Sequence, residues 1–239
     1  MKKRGIPFIV SAPSGTGKTT LCRMAVERFG DLRESISYTT RPPREGEVDG
    51  IDYRFVDAAV FDEMVRTDRF VEYAEVHGNR YGTSARDLAA LLDSGEDVIL
   101  DIDVQGAEKV RRSVEGGVYI FILPPSLETC EARLRARGKD SDETIRRRLL
   151  QARHEIGCAA LYDYIIINDR LEEAFTKLSS IIVAERSRAS RMADRVRALF
   201  GEGDPPGPEA AVATVPSRGL QGGEPGDNDK GGSTSSWRE

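Results

Sequence analysis

The sequence is short of histidine, cysteine, tryptophan and long apolar runs, and each shortage excludes something. Its two histidines, His77 and His154, have no metal-ligand spacing, so both read as structural or exposed residues. Its three cysteines, Cys22, Cys130 and Cys158, are odd in number and form no CxxC pair, which argues against a disulfide framework and a structural zinc site. A reducing cytoplasm is the expected compartment. The one tryptophan, Trp237, sits in a Gly- and Pro-rich terminus and has no expected core role. No run approaches the ~18 apolar residues of a membrane span. The basic start Met1-Lys2-Lys3-Arg4 is followed only by the apolar stretch 6–10, interrupted by Pro7, so no secretory leader is expected. A net charge of −5 over 239 residues is not that of a polycation, which argues against nucleic-acid or acidic-membrane partners. Small-molecule partners are expected, with neither a monomer nor a homo-oligomer singled out.

What is present is a globular composition, 39% apolar and 31% charged, that changes sharply near residue 201. Residues 201–239 hold 9 Gly, 5 Pro, 3 basic and 7 acidic residues without apolar periodicity. Such a segment cannot bury enough surface to offset its ordering entropy, and it reads as a disordered acidic tail. Within 1–200, short Val- and Ile-rich runs at 6–11, 97–102, 118–123 and 164–167 read as buried strands. Helical patterns lie between them, beginning at Lys18, covering 84–94, beginning near Gln105, and covering 126–137. A last helix is expected over 171–199, with Leu171, Ala174, Phe175, Leu178, Ile181 and Ile182 on one face. This alternation predicts an α/β fold, a parallel sheet flanked by helices.

Two stretches break the rhythm. Residues 35–83 carry strands at 53–56 and 70–76 around a helix starting at Asp57, and read as an inserted subdomain with a small mixed sheet. In its second strand, Phe70, Glu72, Ala74 and Val76 are expected on one face, Val71, Tyr73 and Glu75 on the other. The stretch 133–153 is rich in arginine inside a slightly acidic chain.

The strongest chemical signal is Ala12-Pro13-Ser14-Gly15-Thr16-Gly17-Lys18-Thr19, between a predicted strand and a predicted helix. That is the context of a phosphate loop, with Ala12 where the strict pattern has glycine. Loop N–H groups and the helix start would face phosphate oxygens, Lys18 would reach the β- and γ-phosphates, and the Thr19 hydroxyl would bind Mg²⁺. Asp101, at the end of the 97–102 strand, would hold Mg²⁺ directly or through water. Asp103 would point the same way, or cap the helix near Gln105. These features alone describe a phosphotransferase or an NTPase. In the insert, Thr39-Thr40-Arg41-Pro42-Pro43-Arg44 sets two guanidinium forks in a Pro-stiffened loop. With Tyr53 and Tyr81, these arginines suggest a second phosphate site, for an acceptor nucleotide.

Together the phosphate loop, the run from Ser37 to Glu47, Gly50-Ile51-Asp52-Tyr53, Tyr81-Gly82-Thr83 and Asp101-Ile102-Asp103-Val104-Gln105-Gly106 resemble the guanylate kinase family, in order over residues 4–198. The resemblance implies a P-loop core (1–34, 84–130 and 155–200), a GMP-binding subdomain (35–83) and a mobile lid (131–154). It implies that Arg41, Arg44, Tyr53 and Tyr81 hold the GMP phosphate, while Ser37, Glu72, Thr83 and Asp103 read the base. The donor ATP would lie on the loop from Ala12 through Thr20, under the lid arginines Arg133, Arg137 and Arg148. Lys18, Arg41, Asp101, Arg137 and Arg148 would serve the transfer. Asn168 matches a family position near adenine, and equally suits a turn at a strand end. Guanine chemistry agrees: N1–H and N2–H₂ suit the Glu72 carboxylate, and O6 suits hydroxyl donors on Ser37 and Thr83. Arg135, Arg146, Arg147 and Arg153 read as solvated helix-face charges, and Cys22 as a small core residue. A ribose bisphosphate kinase would not need the base-reading set. A catalytically silent scaffold module of the same type would lack the intact phosphate loop. A P-loop GTPase would carry Asn-Lys-x-Asp, which is absent.

Overall fold

The computed structural model describes residues 3–76, 78–136 and 141–201. Its first strand, β1 (Pro7–Ser11), is buried along its whole length. Pro7 stands first in it, a position where a proline can enter a strand. The chain then passes through the phosphate loop into α1 (Lys18–Arg28). There follow β2 (Leu32–Glu34), β3 (Tyr38–Thr39), β4 (Arg54–Phe55), α2 (Ala58–Arg66), β5 (Phe70–Val76), β6 (Asn79–Ser84) and α3 (Ala85–Asp93). The second half runs β7 (Asp97–Asp101), α4 (Val104–Ser113), β8 (Val118–Leu123), α5 (Leu127–Ala136), α6 (Asp142–Gly157), β9 (Tyr164–Ile167), α7 (Leu171–Arg186) and α8 (Ala189–Phe200).

Five strands form a wholly parallel sheet in the order β2-β7-β1-β8-β9. On one side, Leu21, Cys22 and Ala25 of α1 join Ala174, Leu178 and Ile182 of α7 against Phe8, Val10 and Ile120. On the other, Leu88 and Leu92 of α3 join Ala107 and Val110 of α4 against Ile9 and Leu100. Cys22 is the small core residue expected. The strand order reverses at β1: the chain leaves it toward β2 through α1, and leaves β7 toward β8 through α4. A crevice forms outside the strand C-termini at such a point. Val10, next to the last residue of β1, stands beside Asp101 at the end of β7.

The insert forms the expected small mixed sheet, β4-β3-β6-β5, in which only β3 and β4 run parallel. The alternation along β5 differs from expectation at its start. The register slips between Phe70 and Glu72, so the Phe70 ring lies over Gly82, the pairing partner of Tyr73. Phe70 therefore shares the Tyr73 face rather than the Glu72 face, and Val71 packs on the second core cluster.

The expected helix over 171–199 is two helices. Ser187 closes α7, its hydroxyl donating to Val183 O at 2.9 Å, and Arg188 turns back to the buried Glu185 at 2.6 Å. A serine that bonds the preceding turn competes with helix continuation. Conversely, α6 stands in the Arg-rich stretch, where helix-face charges were expected but no helix bounds were set. Ser141 caps it by accepting from Thr144 N, and Ile145 packs with Leu149 on Cys130 and Leu134 of α5. One compact unit runs to Met192 and holds both sheets; a second begins at Ala193. The tail beyond Gly201, His77 and Arg137 lie outside the described residues. His154 is exposed, as are Arg135, Arg146, Arg147 and Arg153.

Candidate active site

The phosphate loop turns through two left-handed glycines, Gly15 (φ 85°) and Gly17 (φ 93°), a conformation that costs other residues steric strain. No side chain caps the start of α1 at Gly17, so its first-turn N–H groups face the crevice as a ready anion site. The loop is braced from behind. Thr16 donates its hydroxyl to Pro13 O at 2.6 Å, and the buried Asn168 donates its amide to Thr16 O at 2.7 Å. Arg133 donates to Asn168 O at 3.1 Å and to Thr16 O at 3.4 Å, and the Cys130 thiol to Ser14 O. Residues Ala12, Pro13, Ser14, Gly15, Thr16, Gly17, Lys18, Thr19 and Thr20 line a cavity of about 220 Å³.

At its floor the Lys18 ammonium stands 2.6 Å from Asp101 Oδ1 and donates to Ile102 O at 2.8 Å. Burial pulls the Lys18 pKa down, but the charge of Asp101 and its hydrogen bond outweigh burial and hold it above the ordinary value. Thr19 donates its hydroxyl to Asp101 Oδ2 at 2.8 Å. Two hard oxygens at this separation match adjacent corners of an octahedron with bonds of about 2.0–2.1 Å, so the pair fits Mg²⁺. Among the described residues no cluster of three or more His, Cys, Asp or Glu is placed to hold a metal.

The insert builds the second cradle. Arg41, 9% exposed, donates to Glu47 Oε1 and to Pro42 O, each at 2.8 Å. Its guanidinium stacks over the Tyr53 ring at 5.2 Å, and Tyr53 meets Tyr81 at 5.9 Å between ring centres. Arg44 donates its backbone N–H to Glu47 Oε2 at 2.7 Å and leaves its side chain exposed. Glu47 thus organises both arginines, and the Arg41 hydrogen bond holds its pKa below the usual range. Ser37, Tyr53, Glu72, Tyr81 and Asp103 join Lys18 around a second cavity of about 220 Å³. Lys18 and Asp103 line both cavities.

Glu72 is 4% exposed. Burial pushes its carboxyl up to about 7, against the pull of the Thr83 hydroxyl, which donates to Oε1 at 2.6 Å. That bond ties the Thr83 hydroxyl to Glu72, while Ser37 stands on the cavity wall. Asp103 caps α4, accepting from Gly106 N at 2.8 Å, so the capping alternative is realised while the residue still lines both cavities. Arg148 lies half-buried on α6. Sequence reasoning missed Gln151 and Glu155 of α6, which wall the phosphate-loop cavity and hydrogen-bond each other at 2.9 Å. Glu47 was visible within the Arg41 motif but had no assigned role.

The guanylate kinase family model matches residues 4–185. Guanylate kinase of Geobacter sulfurreducens is 52% identical over 200 residues, 84% of this chain and 98% of the relative. That of Neisseria gonorrhoeae is 50% identical over 189 residues, 79% and 92% of the two chains. The crystal structure of guanylate kinase from Anaplasma phagocytophilum superposes with a TM-score of 0.69 at 33% identity, over 85% of this chain and 99% of that one. On a model match spanning three quarters of its length, and on relatives matched nearly end to end, the chain belongs to the guanylate kinase family.

Proposed function

We propose that the two cavities divide the family's reaction, ATP + GMP ⇌ ADP + GDP, into a donor site and an acceptor site that meet at Lys18. The chain is a nucleoside monophosphate kinase. The observation that carries the division is that Lys18 and Asp103 line both cavities. A GMP phosphate held by Arg41, Arg44, Tyr53 and Tyr81 would face the γ-phosphate on the loop. A GMP phosphate oxygen attacks the γ-phosphorus as the bond to the ADP oxygen breaks, with no phosphoenzyme. The protein's part is positioning and charge compensation. The loop N–H groups and Lys18 balance the polyphosphate, and Arg41 balances the acceptor. Arg133, Arg137 and Arg148 close from the lid and exclude water.

Thr19 and Asp101 would hold Mg²⁺, which when bound offsets the charge of the bridging phosphate oxygens. Glu72, set by Thr83, accepts N1–H and N2–H₂, and Ser37 donates to O6. In Arg133 and Asn168, bonds to the loop carbonyls support a role in shaping the donor site. The partition into core (1–34, 84–130, 155–200), acceptor subdomain (35–83) and lid (131–154) is part of the same reading. A cytoplasmic location agrees with it, and no helix of the described residues is long and apolar enough to cross a membrane. The test is chromatographic detection of GDP from ATP, Mg²⁺ and GMP. Lys18→Ala is expected to lower turnover by roughly 10²–10³-fold or more with any acceptor. Undiminished turnover in that variant would refute the assignment.

A further inference from the structure

Helix α4 carries glycine in its first turn, where the backbone does not ask for one. Gly106 is not among the residues with positive φ, and glycine is the poorest helix former after proline. The bond from its N–H to Asp103 Oδ1 is one that any non-proline residue supplies. What sets the position apart is space. A Cβ on Gly106 would stand 2.7 Å from Glu72 Oε2, 3.1 Å from Glu72 Cδ and 3.2 Å from Asp103 Oδ1. Neither carboxylate is free to step aside. Glu72 is buried with Oε1 tied to the Thr83 hydroxyl, and Asp103 Oδ1 is committed to the cap.

We propose that Gly106 is a positioning residue for acceptor recognition: its bare Cα lets the Glu72 carboxylate seat against the start of α4 and so sets the acceptor edge that guanine N1–H and N2–H₂ meet. The positive end of the helix favours the ionised carboxylate at that place. A methyl group there displaces the carboxylate while leaving the phosphate loop untouched. The inference rests on reading Glu72 as the group that accepts from guanine.

The full chain carrying Gly106→Ala, assayed with ATP and GMP, is expected to show a KM for GMP raised at least tenfold and a KM for ATP within twofold of the native value. Glu72→Asp alone also weakens GMP use. Combined with Gly106→Ala it should lose little more, because the shorter side chain leaves room for the methyl. An unchanged KM for GMP in Gly106→Ala, or losses that simply multiply in the double variant, overturns the proposal. If Gly106→Ala alone does not fold, the double variant decides: soluble, active enzyme supports the proposal, and equal insolubility overturns it. Glu72→Gln separates the two levels. Loss of GMP use there with normal Gly106→Ala sinks only the role of Gly106; normal GMP use there sinks the reading of Glu72 and the proposal with it.

Discussion

At the scale of single residues, Glu72 joins burial to specificity. Its carboxyl is raised to about 7 by desolvation. In the free protein the raised value means that the fold is favoured by protonation, a contribution present below about 4.5 and lost as the pH climbs through about 7. Acceptor binding has the opposite sign, because guanine needs the ionised form. The KM for GMP is therefore expected to rise about tenfold from pH 8 to pH 6, while the KM for ATP does not follow. Glu72→Gln supplies the baseline for the titration of the nucleotide's own phosphate; the same slope in both proteins would remove Glu72 from the pH response. The residues gathered here were largely named in advance, the paired arginines from their forked chemistry and Glu72 through the family resemblance, and the structure puts Glu72 on the cavity wall with Ser37, Tyr53 and Tyr81. The direction of the Thr83 hydrogen bond was not legible, because it depends on the register that sets Glu72 opposite Thr83 across β5 and β6.

At the scale of elements, the strand–loop–helix signature made the donor cradle legible, since glycine, lysine and threonine each answer to a local demand of β1, the loop or α1. Its bracing was not legible, because Asn168 reaches Thr16 only once β9 has taken its place at the sheet edge. This bracing predicts that Asn168→Ala lowers kcat/KM roughly tenfold for ATP, GTP and CTP as donors alike. A loss confined to ATP would show that the side chain acts on adenine instead. The bounds of helix α6 were not legible because arginines dilute its apolar spacing of Ile145, Leu149 and Ala152. The break after α7 escaped notice because the stop is a serine rather than glycine or proline.

At the scale of the molecule, the parallel sheet was legible because buried strands alternating with helices have few other solutions. That Tyr53 and Tyr81 of the insert wall one cavity with Lys18 was not, since nothing in the spacing of these segments along the chain brings them together. It emerges from the reversal of strand order at β1 and from β5 packing along α4. As proposed, two phosphate cradles that share Lys18, with a buried carboxylate choosing the purine, make a graded demand on the acceptor. The decisive measurement is kcat/KM with saturating ATP and Mg²⁺ for GMP, IMP and AMP. IMP lacks the 2-amino group and one bond to Glu72, and is expected to fall about ten- to a hundredfold below GMP. AMP turns the N1 donor into an acceptor and O6 into a donor, and should fall by roughly 10³-fold or more. AMP turned over as well as GMP would contradict the proposed reading of the cleft.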